Sequence, residues 1–194
     1  MEPLHGTTLL NLSVSYVRLN QLDKAAEAAG RAVEMLPDRQ DAREYLCHLY
    51  LSAKKASDAV GCYEYLRKES SNNPSAEVGY GTALFLKGEK DKALDVLERA
   101  IAAFPDFGEA YFTLGVIQYK MKMNKAAVDS FKKAVESEPD HAMYRYNLAI
   151  ALIAVQNSFG ALSQYNLLKT SHPEIAAQLY KELFSDKVYF VDNK

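Results

Sequence analysis

Histidine and cysteine are the residue types in this chain best suited to metal binding or nucleophilic chemistry. His5, His48, His141 and His172 are scattered, with no HExxH and no carboxylate pair at a zinc-binding spacing. Lone histidines of this kind are usually structural or solvated. Cys47 and Cys62 have no CxxC spacing and are too few for a disulfide scaffold. They are expected to be buried free thiols, although their placement on two helices of one repeat, set out below, is what a redox pair would need. No glycine-rich phosphate loop occurs. These residues predict no catalytic site, no cofactor and no metal.

The wider composition narrows the partners. The 194 residues are 48% hydrophobic and 25% charged, which is ordinary for a folded domain. A net charge of -2 and a pI of about 6.1, with the two signs interspersed, argue against nucleic acid as a partner. No apolar run reaches the roughly 18 residues of a membrane span, and the opening MEPLHGTT lacks the basic start and apolar run of a secretory signal. The expectation is a cytoplasmic chain with no membrane insertion.

What must position any functional side chain is a repeat. Ala25, Ala59, Ala93, Ala127 and Ala161 lie 34 residues apart, and so do the small residues Ser13, Cys47, Gly81, Gly115 and Ala149. Pro37, Pro105, Pro139 and Pro173 keep the same register, with Ser71 in the one missing place and Pro74 just beyond it. Each unit reads as two helices of about a dozen residues, joined by a short turn and closed by a proline that cannot continue the second helix. The small residue and the alanine mark where the helix axes cross, letting them approach to roughly 8–10 Å. Leu12, Leu46, Tyr80, Leu114 and Leu148 supply one large knob per unit, and Ala29, Tyr63, Leu97, Phe131 and Tyr165 face them.

With the proline counted as position 32, the units 6–39, 40–73, 74–107, 108–141 and 142–175 resemble tetratricopeptide repeats. That family favours a bulky residue at 4, leucine at 7, a small residue at 8, tyrosine at 11, alanine at 20, an aromatic at 24, alanine at 27 and proline at 32. The fourth unit fits best, with Tyr111, Leu114, Gly115, Ala127, Phe131, Ala134 and Pro139, and Gln118 replacing the tyrosine. Arg43 and Glu77 depart at position 4. The resemblance implies an all-α fold, a right-handed α-solenoid of antiparallel helix pairs with a C-terminal capping helix. Residues 174–185 suit that cap, with Ile175, Leu179 and Leu183 turned onto the last repeat; residues 176–194 then hold the capping helix and tail. Leu9, Leu10 and Val14 of the first repeat have no evident cover.

The resemblance also implies a function. In this family the first helix of each pair lines a concave surface, chiefly through positions 2, 5, 9, 12 and 13. Here those positions include an apolar band from the third to the fifth repeat, Val78, Phe85, Leu86, Phe112, Val116, Tyr119, Met143, Tyr146, Ile150 and Ile153, with Thr82 within it, Glu109 and Lys120 at its rim and Asn147 beside it. Apolar surface of this extent usually marks a binding site, and a groove suits an amphipathic helix or extended apolar peptide. The chain is therefore expected to be a non-catalytic interaction module for a protein or peptide partner. The lysine and asparagine clamp by which co-chaperone members hold a terminal carboxylate is missing: the first frame offers Leu10, Val14, Tyr45, Ser75 and Gly79. The alternative is a scaffold that forms homo-oligomers through the first repeat or the tail, where Val188, Tyr189, Phe190 and Val191 could also fill the groove.

Overall fold

A computed structural model describes residues 3–184 except Ser71, and among these every regular element is an α-helix. The helices are α1 (Pro3–Arg18), α2 (Leu22–Met35), α3 (Gln40–Ser52), α4 (Ala56–Glu69), α5 (Pro74–Lys87), α6 (Lys90–Ala103), α7 (Gly108–Lys120), α8 (Asn124–Ser137), α9 (Ala142–Ala154), α10 (Ser158–Ser171) and α11 (Pro173–Phe184). Contacts divide the chain into two compact units, residues 1–100 and 101–194. The expected tail residues Val188–Val191 lie outside the described residues.

The turn inside each pair is the same backbone device. Asn20, Lys54, Gly88, Lys122 and Gln156, each 34 residues from the next, are the described residues with positive φ, between 55° and 94°. The amide of the residue that follows then donates to a carbonyl five residues back: Gln21 to Tyr16, Lys55 to Tyr50, Glu89 to Leu84, Met123 to Gln118 and Asn157 to Leu152, all at 2.9 Å. These bonds satisfy carbonyls that the first helix leaves open at its end. Prolines stop the second helices at Met35, Ala103, Ser137 and Ser171. Where Ser71 replaces the proline, Pro74 opens α5 instead, and the Asn73 side chain caps it by accepting from the Ala76 amide at 3.0 Å.

In the first unit the pairs interlock as the small and large residues require. Ala25, Ala26, Ala29 and Val33 of α2 form one core with Ala42, Leu46 and Leu49 of α3. A Cβ added to Gly81 would lie 2.9 Å from Leu97 Cγ, so only glycine admits α6 so closely to α5. The two departures at position 4 are explained by polar stacking. Arg43 lies over the Tyr65 ring at 4.0 Å, while Glu77 pairs with Arg67 at 2.7 Å, and Arg67 in turn covers Tyr80 at 4.2 Å. Ser13 Oγ donates to the Ala25 carbonyl at 2.7 Å, which ties α1 to α2 at their crossing.

The cysteines correct the sequence expectation of free thiols. Cys47 of α3 and Cys62 of α4 are joined by a disulfide across their crossing, with Cα atoms 5.5 Å apart. Close helix contact at the small-residue position brings the Cβ atoms within bridging range, which spacing along the chain does not reveal.

In the second unit, Ala127, Val128 and Phe131 of α8 share a core with Leu148, Ala151 and Leu152 of α9. Buried Gln118, in the place of the usual tyrosine, accepts from Ser130 Oγ at 2.7 Å. The last helix packs on α9 and α10: Ala176 and Leu179 are buried with Ala142, Ala149 and Leu168, and Ile175 and Leu183 lean on the same cluster.

Candidate peptide-binding surface

The chain's expected binding residues divide between the two units and are described unit by unit. In residues 1–100, the structure overturns one of them. Val78 is only 4% exposed and belongs to the core of the α5 pairings. Thr82 is half-buried and its hydroxyl donates to the Val78 carbonyl at 2.9 Å. Phe85 is half-buried and Leu86 is exposed.

In residues 101–194, α7 buries one stripe and half-buries a second. Ala110, Leu114, Gly115, Ile117 and Gln118 are buried. Phe112, Val116 and Tyr119 are half-buried, packed on one side against the α8–α9 core. On α9, Tyr146 and Ile150 lean on the cluster shared with α11, Ile153 leans on both clusters, and Met143 remains 44% exposed. Glu109 and Lys120 are exposed at opposite ends of α7. The partial burial of this band has a physical cause: neighbouring first helices touch, so each such side chain gives one flank to its neighbour. Asn147 donates its side-chain amide to the Met143 carbonyl of its own helix at 2.8 Å, which occupies the group expected to orient a bound main chain.

Two features were missed in the sequence. Tyr144, one step off the expected band, is 4% exposed and sandwiched between rings, with His141 at 3.8 Å and Phe112 at 4.8 Å. Phe112 also lies 5.8 Å from Phe131, so it is a structural ring as well as a surface one. Burial, reinforced by the Glu138 and Glu109 carboxylates, pushes the Tyr144 phenol up to about 12. The second feature is α11 as a wall: burial raises the Tyr146 phenol and the Glu182 carboxylate of α11 adds to it. Position 3 of the fifth repeat and a helix beyond the last full repeat carry no cue to either role.

Family models described as tetratricopeptide repeat match residues 10–74, 50–115 and 108–141. Among curated relatives, a peroxisomal targeting signal receptor of Candida albicans is 24% identical over 173 residues, covering 80% of this chain and 28% of the receptor. Superkiller complex protein 3 of Mus musculus is 30% identical over 101 residues, half of this chain and 6% of that protein. This chain thus spans less than a third of the length of either relative. Among solved structures, a thermophilic TPR protein of Thermus thermophilus aligns with a TM-score of 0.75 at 21% identity, covering 93% of this chain and 97% of the other. YrrB, a TPR protein described as having an unusual peptide-binding site, aligns at 0.57 and 22% identity, covering 89% and 90%. At these identities the structural likeness establishes the fold alone. The helix pairs, their shared turn and these matches together make the chain a member of the tetratricopeptide repeat family.

Proposed function

We propose that residues 101–194 capture an apolar or amphipathic segment of a partner protein on the band formed by α7 and α9, without catalysis. The observation that carries this reading is the contrast on α7: one stripe is buried, while Phe112, Val116 and Tyr119 are only half-buried, as are Tyr146 and Ile153 on the neighbouring α9, where Met143 is exposed. Aromatic and methionine side chains dominate interface energies and adapt to varied apolar partners. Glu109 and Lys120 give the band an acidic and a basic end, which would orient the bound segment. Asn147 is left with a lesser part, and the band in residues 74–107 reduces to Thr82, Phe85 and Leu86. A carboxylate-clamp chaperone tail and nucleic acid do not fit this surface.

A peptide library presented as amphipathic helices and selected against the full chain tests the reading, with fluorescence anisotropy on the selected peptides. Met143→Asp should weaken binding at least tenfold while leaving helical content and melting close to wild type, since Met143 is exposed. Unchanged binding by that variant overturns the proposal. Phe112→Asp is unsuitable, because Phe112 also supports Tyr144.

Self-assembly through the first repeat is less well supported. Leu12, Val14, Val17 and Leu19 are exposed there. However, where α3, α5 and α9 bury Ala42 and Leu49, Ala76 and Ala83, Tyr144 and Ala151, α1 carries exposed Thr8 and Ser15. As for compartment, no described helix is long and apolar enough to cross a membrane. The Cys47–Cys62 disulfide favours an oxidising environment over the cytoplasm expected from the opening residues and the lack of an apolar span.

A further inference from the structure

The outward face of α10 differs from that of the other second helices. At two positions eight residues apart, α2 exposes Asp23 and Arg31, α6 exposes Asp91 and Arg99, and α8 exposes Lys125 and Lys133, while α4 has Ser57 and Tyr65, the latter under the Arg43 guanidinium. The same two positions of α10 carry Phe159, 87% exposed, and Leu167, 47% exposed. Between them, a shallow hollow of about 330 Å³ is lined by Phe159, Leu162, Ser163, Asn166 and Leu167. Lys169 is the single charged residue of the helix. Isolated exposed apolar side chains need no explanation, but three on one uncharged face, in a register that α2, α6 and α8 fill with charge, do.

We infer that this face is a two-fold interface between copies of the chain, formed by α10 packing antiparallel on α10 of a second copy. Phe159, Ser163 and Leu167 are spaced i, i+4 and i+8, so they form one ridge of the helix surface. The ridge is large, small, large about Ser163. A two-fold axis through Ser163 sets Phe159 of each copy against Leu167 of the other, and the small centre lets the helices close. An isologous contact demands a patch complementary to itself, and a charged face rarely meets that demand. This one does: the two Lys169 residues would stand about 18 Å apart along the helix axis, beyond the screening length at physiological salt. A second copy is therefore the occupant, rather than a partner selected by charge. One helix pair buries less than the ~1,200 Å² at the low end of stable interfaces, so the dimer forms and dissociates with concentration.

Sedimentation velocity on the full chain across a concentration series tests this, independently of peptide capture by α7 and α9. A monomer–dimer equilibrium is expected, and Phe159→Asp should weaken it at least tenfold with melting unchanged, since Phe159 is almost wholly in water. Ser163→Cys should yield a covalent dimer on oxidation, seen on a non-reducing gel, whereas Ser57→Cys on α4 should not. A monomer at every concentration, growth beyond a dimer, or a dimer indifferent to Phe159→Asp and uncrosslinked through position 163 would each overturn the inference.

Discussion

Gly115 of α7 and Phe131 of α8 share one volume: a Cβ on Gly115 would lie 2.8 Å from two carbons of the Phe131 ring. The backbone of one helix thus serves as the floor on which the aromatic ring of its partner rests, and the ring is 2% exposed. Gly115→Ala should therefore destabilise the protein by about 1–3 kcal/mol through overpacking, despite the better helix propensity of alanine. Combining it with Phe131→Leu should recover part of the loss, because it removes the ring carbons that the new Cβ would meet. Urea unfolding of the single and double variants measures the coupling.

Reduction of Cys47–Cys62 should lower stability. The bridge closes a loop of 15 residues, for which chain entropy gives about 3 kcal/mol. Cys47→Ala with Cys62→Ala should match the reduced wild type, with hydrogen exchange quickening first in α3 and α4. Identical unfolding midpoints with and without reductant would show that the two sulfurs are not joined in solution.

Ser130→Ala should cost about 1–3 kcal/mol, because it strands the Gln118 acceptor in a buried site. Ser130→Ala together with Gln118→Leu should cost less than the first change alone. An additive pair would mean that water reaches Gln118 and replaces the lost donor.

Alkaline pH should weaken the second unit through Tyr144. Its phenol titrates near 12 in the folded chain and at an ordinary 10 once unfolded, so both states are neutral below pH 10 and stability is undiminished there. Between about pH 10 and 12 the unfolded state loses its proton first, and stability falls. Tyr144→Phe should flatten that part of the stability curve, measured by urea unfolding at stepped pH.

Much of this architecture is legible from spacing alone. Alanines and small residues 34 apart mark every helix crossing, and Ala25, Ala59, Ala93, Ala127 and Ala161 are all fully buried. The band on α7 and α9 is likewise readable as a stripe. What spacing does not convey is depth. Val78 sits in the band's register, yet it is core because α5 packs closely on its neighbours, and Phe112 faces Tyr144 because the first helices touch. The disulfide needs two positions on different helices to converge in space, and Arg43 on Tyr65 needs a cation to stand in for an apolar knob. Both depend on three-dimensional proximity that a periodic pattern leaves open.

The left-handed residue of the turns was hidden for a different reason: Asn20, Lys54, Lys122 and Gln156 do not advertise the conformation as Gly88 does. All five are exposed, so the hinge is made by main-chain bonding while its side chain meets only water. Such a site is indifferent to side-chain polarity, while β-branched residues and proline are strained by its left-handed backbone. Drift can accumulate at these five corners without disturbing the helices they join, and a probe or dye attached at any of them would report on its own pair while leaving the packing behind it undisturbed.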